Sequence, residues 1–346
     1  MTELDHRSGE VLRTIIRQHI LSGEPVASKT VTGGTTLDLS PASIRNVMHE
    51  LEERGLLQQP HTSAGRVPTD RAYRLYVDQM MRKTRIPRTQ AQAIDAALAG
   101  SGGEIPDLLV EASRQLSQFS NHVGLVLAPN LQRVLIDRIE FVRLDPRRVV
   151  AILVARSGVV HNRMLEITDP EEQVELDRIG RYLSDELGGL TVPEMRDRLL
   201  NRMAEERAAY DRLMAQSLEL GQKALESGDD AAELLVEGAS NLLGSPEFSE
   251  IEEMRGLFRT LERKKALIRL LGQVIDGGGV QVVIGEENSQ TELNKCTLVV
   301  AGYGSDTRKL GTLGIVGPTR MEYAKAIALV DHLAGAISTL LSGRGD

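Results

Sequence analysis

Between residues 40 and 68 the spacing of apolar positions changes from helical to strand-like, and the change marks two elements side by side. Ile44, Val47, Met48 and Leu51 recur at three- and four-residue intervals, which predicts a helix with one buried stripe. Ser40 is placed to cap that helix, and Pro41 to fill its first turn, where a missing amide proton removes no intrahelical bond. Ala42, Ser43, Arg45, Asn46 and His49 fall off the stripe. Gly55 is the terminator, Leu56-Leu57 predicts a short strand, His61-Thr62-Ser63-Ala64-Gly65 a turn, and Arg66-Val67-Pro68 the returning strand. Upstream, Val11, Leu12, Ile15 and Ile16 predict a helix over 8–21, and Ser28 is expected to cap a short second helix that breaks at Gly33-Gly34. Downstream, Thr69 is expected to cap a helix with Ala72, Leu75, Tyr76 and Met80 inward.

Three helices followed by a polar hairpin is the layout of a winged helix-turn-helix that reads DNA. Small Ala42 and Ser43 permit close approach to a groove, while Arg45 and Asn46 carry paired donors suited to base edges or phosphates. Arg66, beside the glycine turn, is the expected backbone contact of the wing. Tyr73 and Arg74 lie either beside the duplex or on the surface, and both readings stay open. A solvated helix whose polar side does nothing is the plain alternative for the stretch after Ser40. Residues 1–90 hold 13 Lys+Arg against 10 Asp+Glu, a balance of +3 in a chain of net charge -8. That excess is modest, so firm binding of a duplex requires two copies acting together.

Beyond residue 100 the pattern predicts a helix over 104–119, strands at 123–127, 134–144, 149–155 and 159–165, then helices at 171–187, 193–218 and 230–243, with a fourth at 258–274. The 193–218 helix carries Met195, Leu199, Met203, Tyr210, Met214 and Leu218 on a broad apolar side. Strand character returns at 280–285, 298–301 and 312–316. A sheet interrupted by helices and then resumed is a multidomain α+β arrangement with a helical insertion. At the end, Thr319 and Glu322 predict a capping box for a helix burying Tyr323, Ile327, Val330, Ala334, Ile337 and Leu341. Arg320 is expected in a salt bridge or in solvent.

Composition narrows the function. One cysteine, Cys296, excludes an internal disulfide scheme and suits a reducing cytoplasm; its apolar neighbours favour a buried structural thiol. No apolar stretch is expected to reach the length of a membrane span, and the amino terminus has no signal-peptide core, so a soluble cytoplasmic protein is expected. One Cys and seven dispersed His give no zinc-ligand spacing. Gly302-Tyr303-Gly304 and Gly277-Gly278-Gly279 lack the rest of a phosphate-loop fingerprint and read as turns. No paired carboxylates suggest acid/base chemistry, so neither an enzyme nor a bound metal or cofactor is expected.

Four blocks extend the reading: Leu39-Ser40-Pro41-Ala42-Ser43-Ile44-Arg45-Asn46; Gln59-Pro60-His61-Thr62-Ser63-Ala64-Gly65-Arg66-Val67-Pro68; Ile284-Gly285-Glu286-Glu287-Asn288; and Gly314-Ile315-Val316-Gly317-Pro318-Thr319-Arg320-Met321-Glu322-Tyr323. With them the chain resembles the HrcA family of bacterial heat-inducible transcription repressors along nearly its whole length. The resemblance implies a winged-helix domain over 1–85, a GAF-like domain in two parts, 100–170 and 257–343, and an inserted helical dimerisation domain over 171–256. It implies a homodimer on double-stranded operator DNA with an inverted repeat upstream of chaperone operons, kept active by a GroEL-type chaperonin and free of membrane. Ser40, Ser43, Arg45, Asn46, His49 and Arg66 would face the operator, with Ala42 and Arg74 as further candidates from the residue pattern. The alternative is a metabolite-responsive regulator using the GAF-like domain as sensor.

Overall fold

The computed structural model describes residues 4–34, 39–61, 64–82, 84–102, 104–130, 132–167, 172–205, 212–225, 233–244, 246–248, 251–274, 278–288, 290–305 and 309–342. The amino-terminal unit starts with α1 (His6–Ser22), capped by Asp5, whose carboxylate accepts from the Ser8 amide at 2.9 Å. Val11, Leu12, Ile15 and Ile16 are fully buried on it, as their spacing requires. Next come α2 (Ser28–Gly34) and α3 (Pro41–Glu53). Ser28 opens α2 rather than capping it, since the first carbonyl used is that of Ala27, and the helix runs through Gly33 and Gly34. On α3 the Ser40 hydroxyl accepts from the Ser43 amide at 3.1 Å, Pro41 sits in the first turn, and Ile44, Val47, Met48 and Leu51 are buried.

A two-stranded antiparallel hairpin follows, β1 (Leu57–Gln58) against β2 (Val67–Pro68). Thr62 and Ser63 of its predicted turn lie outside the described residues. The hairpin is pinned to the α1–α2 connection by two Val26–Arg66 backbone hydrogen bonds of 2.9 Å. Gly65 permits this approach, because a Cβ there would stand 2.4 Å from the Val26 carbonyl oxygen. Thr69 caps α4 (Asp70–Leu75), which continues as a π-helical turn to Met80.

The chain then forms α5 (Arg88–Ala99), which the residue pattern did not predict, and α6 (Ile105–Ser120). Two antiparallel sheets use the strands that follow: β3 (Val123–Leu127), β4 (Ile136–Asp145), β5 (Arg148–Ala155) and β6 (Val160–Glu166). β4, β5 and β6 make a three-stranded sheet of their own. Its inner face shares a core with α7 (Gln173–Leu187), α8 (Val192–Glu205) and α9 (Arg212–Leu225), through Ile139, Phe141, Leu153, Leu176, Ile179 and Leu183. In place of one helix over 193–218 there are two, packed together where Gly221 admits the Leu199 and Leu183 side chains. Residues 206–211 lie outside the described residues, as do the side chains of Met203, Tyr210 and Met214.

The second sheet has five strands in the order β7-β3-β10-β9-β8. β7 (Leu234–Glu237) occupies the stretch expected to be helical over 230–243: its Leu-Leu-Val run fits either element, and pairing with Gly124 to Leu127 of β3 decides for strand. The helix expected over 258–274 divides into α10 (Ile251–Glu262) and α11 (Lys264–Val274). They precede β8 (Val280–Ile284), β9 (Cys296–Gly304) and β10 (Lys309–Pro318), and α12 (Tyr323–Ser342) ends the described fold. Alternate residues of β9 enter opposite cores: Val299, Ala301 and Tyr303 face α12, while Leu298 and Val300 face α10 and α11. β4 to β6 share their core with α7 to α9 on both sides of the boundary expected at 170/171, and β7, within the expected insertion 171–256, pairs in the five-stranded sheet.

Two expectations at the carboxyl end also change. Thr319 does not cap α12; the helix starts later, with the Glu322 carbonyl taking the Ala326 amide at 3.0 Å. By length and composition α12 reaches the dimensions of a membrane span, with mean hydropathy 1.4, contrary to the expectation that no stretch does. Its Leu329, Val330, Leu333 and Ile337 are buried in the core shared with the five-stranded sheet. Cys296 is buried, and burial pushes its thiol up to about 12.

Candidate nucleic-acid interface

The outward side of α3 is polar and exposed. Ser40, Ala42, Arg45, Asn46 and His49 are exposed and Ser43 is half-buried, while the opposite side of the same helix is core. This follows from the sequence periodicity: one face of a 3.6-residue helix cannot reach the core that the other face fills. Arg45 makes one weak contact, its Nε to the Ser28 hydroxyl at 3.4 Å, which places it beside the amino end of α2. His49 lies 3.9 Å from Glu52 and 3.6 Å from Glu53, with its side chain 69% exposed. The Ser40 hydroxyl donates to Ser43 Oγ at 3.0 Å, so the amino end of α3 presents small side chains only. Arg7, from the first turn of α1, donates to the Ser43 carbonyl at 3.4 Å and adds a second cation to this face. Arg7 escapes a reading centred on α3, because only the fold brings it there.

Two of the expected DNA contacts are engaged within the protein. Arg66 pairs with Glu52 of α3 through Nε at 3.0 Å and Nη2 at 2.9 Å, so its guanidinium braces the hairpin against the helix rather than standing free beside the glycine turn. Arg74 is engaged by the body. It donates Nε to Glu287 Oε1 at 2.8 Å and Nη2 to the Val282 carbonyl at 2.5 Å, with a second bond to Glu287 and an ion pair to Asp78 at 3.3 Å. That bidentate pairing holds the Arg74 guanidinium even more firmly charged than usual. Tyr73, open between duplex and surface from sequence, is 2% exposed. Its hydroxyl lies 2.7 Å from His19 Nδ1, and its ring centroid is 5.7 Å from that of Tyr323. Burial pushes His19 down to about 4, with Arg320 adding to the effect, so the imidazole is neutral at pH 7.

The two carboxyl-terminal blocks singled out from the sequence meet the amino-terminal unit here. The Glu286 amide donates to Asp70 Oδ2 at 3.0 Å. Gly285 has φ +53 and lies so near Asp70 that a Cβ would stand 1.7 Å from its Oδ2, so glycine is required on both counts. Burial raises the Asp70 carboxyl above its ordinary value, against the lowering effect of the Glu286 amide. Arg320, expected in a salt bridge or solvent, pairs with Glu247 and donates Nη1 to the Ile20 carbonyl of α1 at 2.9 Å. Asn288 ties its own loop, donating to the carbonyls of Gly285, Leu293 and Cys296 at 2.7 to 3.1 Å. Among the described residues no group of three His, Cys, Asp or Glu side chains is arranged to hold a metal ion.

The chain is thus a mixed α+β body with an attached amino-terminal helical unit, whose third helix presents an exposed polar face. The HrcA protein C terminal domain matches residues 106–327. The chain is 43% identical, over 99% of its own length and 100% of the relative's, to the heat-inducible transcription repressor HrcA of Geobacter sulfurreducens. It is 36% identical to that of Syntrophobacter fumaroxidans, over 100% of both chains. The chain belongs to the HrcA family of heat-inducible transcription repressors. A crystal structure described as that of a hypothetical protein shares the fold, with a TM-score of 0.62 at 22% identity over 99% of this chain and 100% of the other.

Proposed function

We propose that two copies of this chain bind an inverted-repeat operator upstream of chaperone operons and repress transcription there. The amino-terminal unit is read as a winged helix-turn-helix, with α3 as the helix that enters the major groove. The five-stranded body is read as a GAF-like domain, and the unit of β4 to β6 with α7 to α9 as the insertion that pairs the two copies. The observation that carries the reading is that Arg45, Asn46 and His49 are exposed, on a helix whose other side is closed by Ile44, Val47, Met48 and Leu51. Ser40, Ala42 and Ser43 give the close approach at its amino end, and Arg7 joins as a backbone contact. Arg66 and Arg74 are not among the reading residues.

Dimerisation sets two α3 helices about 34 to 36 Å apart or at a multiple of that spacing, one on each half-site. Occupancy then follows the fraction of chains that are folded and paired, because a single copy loses half the contacts. A GroEL-type chaperonin that assists folding keeps that fraction high, and its diversion to other clients in heat lowers it. The protein acts in the cytoplasm, where the operator and chaperonin are.

The experiment compares wild type with Arg45→Ala on the inverted repeat and on a scrambled duplex across a salt series. Base reading by Arg45 predicts a loss of about 1–3 kcal/mol on the operator and little on scrambled DNA. An equal loss on both, with a shallower salt slope, would place Arg45 on phosphates instead. No preference of wild type for the inverted repeat would refute the proposed function.

A further inference from the structure

The back of the amino-terminal unit is fixed to the body at two places, one on α4 and one near the end of α1. At the first, Asp70 accepts from the Glu286 amide while Gly285 fits against its carboxylate. One turn further along α4, Arg74 clasps Glu287, just past β8, and the Val282 carbonyl within that strand. At the second, Arg320 bonds the Ile20 carbonyl near the end of α1 and is itself held by Glu247. The tilted ring pair of Tyr73 and Tyr323, both almost fully buried, joins the same two bodies. The apolar core is continuous across the junction, running from Leu12 and Ile44 through Tyr73 to Tyr323 and Val330.

A loose linker would let each reading helix find its half-site independently. Two separated attachments on a shared core remove that freedom, since rotation about either one strains the other. We infer that Asp70, Arg74 and Arg320, with Glu287 as partner, are positioning residues that determine which half-site spacing the dimer accepts. The inference rests on the proposed operator reading and adds to it that the spacing is enforced through the reader's back. None of these four side chains touches the DNA in this account; they act by fixing α3 relative to the body that joins the two copies. Glu287 is suited to the task because its carboxylate also accepts from the Ile284 amide at 2.8 Å, which fixes the end of β8 and the clasp together.

The test uses the full-length protein and three duplexes: the native inverted repeat, the same repeat with one base pair inserted between half-sites, and a single half-site. One inserted base pair rotates a half-site by roughly 35° relative to the other. Wild type is expected to lose about tenfold or more in affinity on the lengthened repeat. Arg74→Ala and Glu287→Gln are expected to cut that penalty to about threefold or less while leaving half-site affinity within about twofold of wild type. Glu287→Gln retains the side-chain oxygen for the Ile284 amide, so it reports on the clasp even if Arg74→Ala folds poorly. A purely structural role would lower binding to all three duplexes together and would overturn the inference. So would an unchanged spacing penalty, or tighter binding to the native repeat. If wild type itself fails to prefer the inverted repeat, the operator reading fails before spacing is reached.

Discussion

The front and back of the amino-terminal unit carry similar residues and have opposite fates. On α3, Arg45 has a single 3.4 Å contact and Asn46 and His49 stand in solvent. On α4, Asp70 and Arg74 are bonded at 2.5 to 3.0 Å to residues more than 200 positions away, and Tyr73 is closed between His19 and Tyr323. Both arginines look like DNA contacts along the chain. What separates them is a partner: Glu287 and the Val282 carbonyl take the Nε and Nη2 donors of Arg74, whereas among the described residues nothing of comparable strength holds Arg45. The surface proposed to meet DNA is therefore the one whose polar groups the fold leaves exposed, on an element that it otherwise holds tightly.

The comparison breaks most severely at Tyr73. Removing a ring buried between α1 and α12 with Tyr73→Ala is expected to cost about 3–5 kcal/mol, read by chemical denaturation of the full chain. A cost under about 1 kcal/mol would show that the back is not packed as described. A smaller effect comes from His19. Its folded value of about 4 lies below the usual 6.5, so the folded state disfavours its protonation. Stability is fully present above pH 6.5 and declines as pH falls from 6.5 towards 4, by on the order of 1 kcal/mol once partial exposure is allowed for. His19→Gln should flatten that segment of the stability-against-pH curve. An unchanged slope would remove His19 from the buried junction.

What the sequence made legible was local. Ser40, the stripe from Ile44 to Leu51 and the terminator Gly55, with φ 68, act within one helix, so the residues needed to predict α3 lie together. β3 and β5 were likewise visible from their apolar runs. The roles of Arg66 and Arg74 were not, because each depends on a distant acidic partner, Glu52 or Glu287, that periodicity cannot supply. α5 escaped because Ile94 and Leu98 are its buried residues, too sparse a stripe to announce a helix. The division between the sheets was hidden for a related reason. β3 and β4 follow one another closely, yet β3 takes β10 as neighbour and β4 takes β5. Sequence adjacency suggested one continuing sheet where pairing made two.

On the proposed reading the front of the unit, and not its back, meets the operator. A photoreactive side chain installed at position 46 or at position 74 of the full-length protein, irradiated on the inverted-repeat duplex, tests this directly. Crosslinking to bases within each half-site from position 46, and none from position 74, is the predicted result. Crosslinking from position 74 with none from position 46 would contradict it.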